Sequence, residues 1–128
     1  KRFGGSSADN QLVVTSGNFT PVPQLDISFT LKDAAYVMFI SDAIGFNSNV
    51  SQELRVNLII DSISFGQVKS VNGSEIGTGG QGTTREYVTF TKVLLLTAGN
   101  HLARYGVAGV ANTAQLEAAS FQVIVFGK

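Results

Sequence analysis

The sequence predicts an all-β protein, a single sandwich or barrel, on three observations. Its 128 residues suffice for one domain with one hydrophobic core. Seven to nine short apolar segments alternate with breaks rich in Gly, Asn, Ser and Pro, and no helical pattern of ten or more residues lies between them. No motif recurs at a fixed period. Together these features argue against parallel α/β folds, propellers and solenoids.

Three segments alternate apolar and polar side chains, which is the pattern of a strand with one buried face. They span residues 25–31, 54–61 and 88–96, and Lys92 interrupts the third. Polar side chains such as Asn57 are expected to face away from the core. The predicted inward positions are Leu25, Ile27, Phe29 and Leu31, then Leu54, Val56, Leu58 and Ile60, then Val88, Phe90, Leu94 and Leu96.

The segment from Ala34 to Ile44 fits two interpretations. Tyr36 and Ile40 fall on one side of a strand while Val37 and Phe39 fall on the other, and the same residues would suit a buried helix. Its β-branched and aromatic content favours a strand covered on both faces.

Two patterns occupy the C-terminal part of the sequence. Residues 113–119 have a helical composition, but seven residues are too few for a core helix. Phe121, Val123 and Val125 then alternate with more polar positions and predict a buried strand.

Glycines mark the predicted turns of the central region. The period of two slips by one residue at Gly66-Gln67, as a β-bulge requires, and Asn72-Gly73 suits a tight turn that opens a long loop. Residues 77–82 match the letters of a dinucleotide-binding G-x-G-x-x-G motif. The strand-like residues 83–88 follow where that motif needs a helix, so we expect a surface loop instead.

Composition excludes several classes of function. Nine Lys and Arg balance nine Asp and Glu, so the positive charge that binds nucleic acid or an anionic membrane is missing. No apolar stretch approaches the ~18 residues of a membrane span, and we expect no membrane insertion. With no Cys and a single His, thiolate or imidazole metal clusters are absent as well. We therefore expect no metal and no cofactor.

The first residues differ from the rest in composition. The polar Gly/Ser opening predicts that residues 1–11 are the linker end of a longer chain and that residues 12–128 form the domain. Charged residues make up only 14% of the sequence, against roughly 25% in an average soluble domain. Part of this weakly charged surface is expected to contact another subunit.

The strand and turn that end in Leu96, Ala98, Gly99 and His101 resemble a short pattern, L-x-A-G-x-H, of the tumour-necrosis-factor and complement-head superfamily in its bacterial and phage branch. The resemblance covers most of the chain from about residue 12. It implies an antiparallel two-sheet jelly-roll sandwich that assembles as a homotrimer at the distal end of a fibre, stalk or capsid. The location it implies is extracellular or on a virion surface. Gly106 and Gly109 depart from the pattern by breaking the strand after His101.

His101 is the one imidazole available for catalysis, and we expect its role to be structural. It follows a turn directly, where its ring can hydrogen-bond nearby backbone. A Ser/His/Asp triad would also need a nucleophile on a sharp turn, and no G-x-S-x-G occurs. We therefore predict no enzymatic activity. An enzyme would require a cluster of polar residues around His101, and the loss of an assayable turnover in His101→Ala would revive that hypothesis.

Candidate ligand-binding residues lie in polar loops. Asn side chains and one aromatic in the turn after residue 44, together with the Asn-Gly turn, could contact a partner. These candidates are Phe46, Asn47, Asn49, Asn72 and Glu75.

The aromatics predicted to lie between subunits are Tyr36, Phe39, Tyr105 and Phe126. Two functions fit these expectations. One is a homotrimeric head that binds a cell-surface receptor or glycan at the tip of a phage fibre or bacterial stalk. The other is a virion decoration or coat protein with no soluble ligand.

Overall fold

A computed structural model of the protein describes residues 2–8, 12–14, 18–47, 54–65, 80–81, 86–109 and 114–127. These residues form eleven strands and one 3-10 turn, Pro23–Leu25. The strands are β1 (Arg2–Ala8), β2 (Leu12–Val14), β3 (Thr20–Pro21), β4 (Ile27–Leu31), β5 (Ala35–Asn47), β6 (Leu54–Ile60), β7 (Ile63–Phe65), β8 (Gly80–Gln81), β9 (Glu86–Leu96), β10 (Gly99–Gly109) and β11 (Ala114–Gly127).

The strands form two sheets. In the first sheet, β11 pairs with β1 and β2 on one side and with β5 on the other, and β5 also pairs with β9 and the short β8. In the second sheet, β10 pairs with β3 and β4 on one side and with β6 on the other, and β7 pairs with β6. The pairing is antiparallel except between β5 and β8. Consecutive strands therefore repeatedly cross from one sheet to the other.

One hydrophobic core lies between the sheets. Apolar side chains alternate inward along β4, β6, β9 and β11, as predicted, and also along β10, and they close around the aromatic rings of Phe39, Tyr105 and Phe121. Phe121 lies 6.4 Å from Phe39 and 6.0 Å from Tyr105, measured between ring centroids. Each buried aromatic ring removes about 150–250 Å² from water, so these rings contribute much of the core's stability. Burial also raises the pKa of the Tyr105 phenol.

Phe39 and Tyr105 correct the predicted subunit contact. Both side chains are 0% exposed within the single chain and have no surface left for a partner. The other two predicted contact residues, Tyr36 and Phe126, are exposed. Alternation along a strand separates two faces, but it does not say which face turns toward the core.

The segment from Ala34 to Ile44, which fits either a strand or a helix by sequence, lies almost entirely in strand β5. This strand is not covered on both faces. Its odd-numbered side chains from Ala35 to Ala43 are buried, whereas Tyr36 and Asp42 are exposed and Met38 and Ile40 are half-buried. Among the described residues no further layer covers the outer side of the first sheet. The apolar side chains on that outer side are consequently exposed or half-exposed to solvent.

Two segments toward the ends of the chain differ from what their composition suggests. Residues 114–119 belong to β11 rather than to a short helix, because they pair with β5 and partly with β2. A strand that pairs along both edges overrides weak helical composition. Residues 2–8, predicted to be linker, form β1 and pair with β11 from Arg2 to Ala8. This pairing uses backbone groups, which a Gly/Ser sequence supplies as well as any other.

Gly106 does not break its strand. β10 continues without interruption from Gly99 to Gly109, and Gly106 itself pairs with Asn57 of β6 and with Pro21 of β3. A methyl group on Gly106 would come within 2.9 Å of the Ile59 Cδ1 atom, so close packing explains this glycine. The predicted bulge at Gly66-Gln67 and the turn at Asn72-Gly73 lie outside the described residues.

Candidate functional site

A tight turn between β6 and β7 begins the first candidate site. Asp61 and Ser62 connect the two strands, and both have positive φ angles, 50° and 71°. Such angles match the twist of a two-residue hairpin but are costly for residues other than Gly, and least so for Asp and Asn. The turn is held by β10, since the Asp61 N–H donates to the Leu102 carbonyl at 3.0 Å. The Leu102 N–H donates in return to Asp61 Oδ1 at 2.8 Å.

His101 lies against this turn and uses both ring nitrogens. Nδ1 donates to Asp61 Oδ2 at 2.7 Å, and Nε2 donates to the Thr97 carbonyl at 2.8 Å. The ring packs on Phe29 with a centroid distance of 5.4 Å. The predicted bond from His101 to nearby backbone is therefore confirmed, while Asp61 is a partner that sequence reasoning missed.

Both partners of the ring are acceptors, and this favours the protonated ring. A neutral imidazole has one N–H and can satisfy only one of them, whereas the imidazolium satisfies both. Burial disfavours the charged ring, but the hydrogen bonds to Asp61 and Thr97 outweigh burial and raise the pKa of His101. Burial likewise acts to raise the pKa of Asp61, yet the Leu102 N–H and the His101 ring hold it below its ordinary value.

This arrangement differs from a catalytic triad. In a triad, the ring nitrogen that faces away from the carboxylate accepts a proton from a nucleophile. Here that position is occupied by the Thr97 carbonyl, which has no proton to give. The polar cluster thus forms around His101 as a clamp that joins the β6–β7 turn, β10 and the β9–β10 turn.

An open depression lies beside the clamp, on the outer side of the second sheet. It has a volume of about 370 Å³ and is lined by side chains of β4, β10 and the Asp61 turn. Thr30 and Asn100 face each other across two strands, and the Thr30 hydroxyl donates to Asn100 Oδ1 at 2.7 Å. Further along the same side, Arg104 donates two hydrogen bonds of 3.1 Å to the Asp26 carboxylate. This side of the molecule is polar.

The outer side of the first sheet is apolar by contrast. The register places Ile124, Met38 and Val93 in one row across β11, β5 and β9, and it pairs Tyr36 with Leu95 in the next row. We call this surface, together with Phe126, the apolar outer face. Four of its side chains are about half exposed or more: Tyr36 47%, Val93 50%, Leu95 55% and Phe126 61%. Contiguous apolar surface of this kind marks interaction sites.

The predicted ligand residues are only partly placed. Phe46 and Asn47 end β5, where their backbones pair with β11 and β8. Asn49, Asn72 and Glu75 lie outside the described residues. The described parts of the chain hold no group of three His, Asp or Glu side chains arranged to bind a metal. They also contain no helix with the length and hydropathy to cross a bilayer.

Three solved structures share this arrangement of strands at low sequence identity. A chain of the infectious bursal disease virus particle has 10% identity and a TM-score of 0.63, covering 95% of this protein and 30% of that chain. The globular domain of zebrafish complement 1qA has 11% identity and a TM-score of 0.54, covering 97% of both chains. The Eiger TNF of S. frugiperda has 10% identity and a TM-score of 0.50, covering 100% of this protein and 96% of that chain.

The protein has the jelly-roll fold. The resemblance inferred from the sequence is confirmed at this level, because two antiparallel sheets of this kind occur in the complement head, the TNF domain and the virus-particle chain. The jelly roll spans about 30% of the length of the virus-particle chain. No family model matches the sequence, and no curated protein matches it.

Proposed function

We propose that this jelly roll is a non-enzymatic homotrimeric head that binds a cell-surface receptor or glycan from the tip of a phage fibre or bacterial surface stalk. The observation that carries the proposal is the apolar outer face. Burying each exposed CH₂ equivalent contributes about 0.8 kcal/mol, so half-exposed Tyr, Val, Leu and Phe side chains favour association. A homotrimer is the assembly implied by the resemblance to the tumour-necrosis-factor and complement-head superfamily.

The charge distribution supports the choice of this face. Along β5 the nearest charged residue on the outer side is Asp42, which lies two rows beyond Met38, and in the row itself the charged residue is Arg2 of β1, which pairs with Ile124 at the margin. A patch depleted of charge at its centre and polar toward its margin is typical of a subunit contact. The outer side of the second sheet, with its Arg104 to Asp26 ion pair, remains for solvent and ligands.

Light scattering tests the assembly. We expect the protein to have three times the mass of its 13.5 kDa chain at micromolar concentration. Leu95→Glu places a charge within the apolar outer face and is expected to yield monomers, because an unpaired charge is costly to bury. Gln24→Glu adds the same charge to the exposed 3-10 turn and should leave the mass unchanged. A stable wild-type monomer would refute the proposal.

The virus-particle similarity favours a second function, a virion decoration or coat protein without a soluble ligand. Both functions predict an oligomer, so mass does not separate them. A glycan array and a cell-binding assay do, since the coat protein should give no signal in either assay.

A further inference from the structure

The depression beside Asp61 displays hydrogen-bonding groups that the fold does not use up. Each oxygen of the Asp61 carboxylate accepts one bond, from the Leu102 N–H and from His101, and a carboxylate has about four acceptor positions. The Asp61 side chain is 42% exposed, so acceptor positions remain open to solvent. Asn100 accepts the Thr30 hydroxyl through Oδ1, and its Nδ2 group has no partner among the described residues.

These groups are held in place before any ligand arrives. Asp61 is held by its two bonds and by the tight turn, and the Asn100 amide is held against the Thr30 hydroxyl, from which its Oδ1 accepts a hydrogen bond. A site whose side chains are already ordered loses less entropy on binding. The depression therefore presents a fixed acceptor and a fixed donor.

The charge of the depression points to a neutral ligand. Its two ionisable side chains, Asp61 and His101, lie 2.7 Å apart and balance each other when the His101 ring is protonated. Next to it, Arg104 is already paired with Asp26. Neither a phosphate nor a cation would find an uncompensated charge here. The half-buried Leu102 supplies the apolar part of the lining, against which the C–H groups of a sugar ring can pack.

From this geometry we infer that the depression is a saccharide-binding subsite. One sugar hydroxyl donates to the Asp61 carboxylate, and a neighbouring hydroxyl accepts from Asn100 Nδ2. The inference rests on the proposed head function and names both its ligand class and its location. It places the ligand on the outer side of the second sheet, rather than in the loops singled out by sequence.

NMR titration of the uniformly ¹⁵N-labelled protein with the methyl glycosides of glucose, galactose and mannose tests the subsite. We expect at least one sugar to shift the amide signals of Asn100 and Leu102. Asn100→Asp keeps the acceptor for Thr30 and removes the Nδ2 donor. It should weaken the binding of that sugar at least about tenfold, measured as its Kd. Asn18→Asp makes the same change at an exposed position away from the depression and should have no effect.

The outcomes separate the subsite from the head function. Sugar binding that Asn100→Asp leaves unchanged, with the wild-type melting temperature retained, overturns the subsite while leaving the head function standing. Chemical-shift changes confined to residues outside the depression would also overturn the subsite and leave the head function standing. No shift with any of the three sugars also overturns it, whereas a monomer in light scattering would overturn the homotrimeric head without affecting a sugar-dependent shift at Asn100.

Discussion

His101 contributes to stability through both ring nitrogens, so its contribution depends on pH. Its pKa is raised in the folded chain, which means that its stabilisation is complete below the ordinary value of 6.5 and is lost as pH rises through the folded value. The pKa of Asp61 is lowered, so its stabilisation is present above 3.8 and is lost as pH falls through the folded value. The clamp is therefore strongest between these two ordinary values.

Comparing wild type with His101→Gln by urea unfolding across pH checks this dependence. We expect the wild type's advantage in the free energy of unfolding to be largest near pH 5 and to shrink toward pH 9. The sequence contains one His, so no other imidazole titrates in this range. An advantage of equal size at both pH values would show that the ring acts by packing on Phe29 alone.

Ser62 has the less favourable of the two positive φ angles in the β6–β7 turn. At φ 71° a Ser side chain is strained, and Gly is not. Ser62→Gly should raise the free energy of unfolding by about 0.5–1 kcal/mol. Asp61→Gly relaxes its own φ angle of 50° but removes the acceptor for Leu102 and His101, and should destabilise the protein. Thermal unfolding distinguishes the two, and stabilisation by both substitutions would contradict the clamp.

At the scale of one strand, β10 depends on a glycine at its centre. Gly106→Ala places a methyl group 2.9 Å from Ile59 Cδ1 and should cost about 1–3 kcal/mol, as overpacking typically does. Ile59→Val removes Cδ1, so the double variant should lose less than the sum of the two single variants. Denaturant unfolding of all three measures the coupling, and strict additivity would show that Ile59 is not the obstacle.

The strands differ in how well their sequences predict them. β4 and β6 alternate cleanly, and the structure buries the expected residues from Ile27 to Leu31 and from Leu54 to Ile60. Asn57 is also buried, although alternation assigns it to the outer side. β11 begins with residues of helical composition because its pairing with β5 and β2, which determines its conformation, involves residues far away in sequence.

The site was harder to predict than the strands for the same reason. Position after a turn was enough to expect a backbone bond from His101, but Asp61 lies 40 residues away and only the pairing of β10 with β6 brings them together. The sequence signal that could have identified Asp61 is its position as a polar residue directly after the strand 54–60. An aromatic residue suits a core and a subunit contact equally well, so sequence alone does not assign Phe39 and Tyr105 to the core in which the structure buries them.

At the scale of the whole molecule, the two sheets present opposite chemistry to their surroundings. The first sheet exposes Val93 and Leu95 on its outer side, whereas the second exposes Thr30, Asn100 and an Arg104 ion pair. If three chains associate through the first sheet, the second sheet of each stays free, and three copies of a weak subsite can act together on a multivalent surface. Because the net charge is zero, packing and hydrogen bonds rather than long-range electrostatic attraction would drive association and ligand binding.

The position of β11 has a consequence for how the chain folds. It is the only described strand that links β1 and β2 to β5, so β1 and β2 share no sheet with β5 until residues 114–127 are available. Contacts of such long range are slow to form. In their absence β5 would present a bare edge of unpaired amides, which is the kind of template on which chains aggregate. Deleting β11 would consequently not trim the first sheet at its margin but divide it in two.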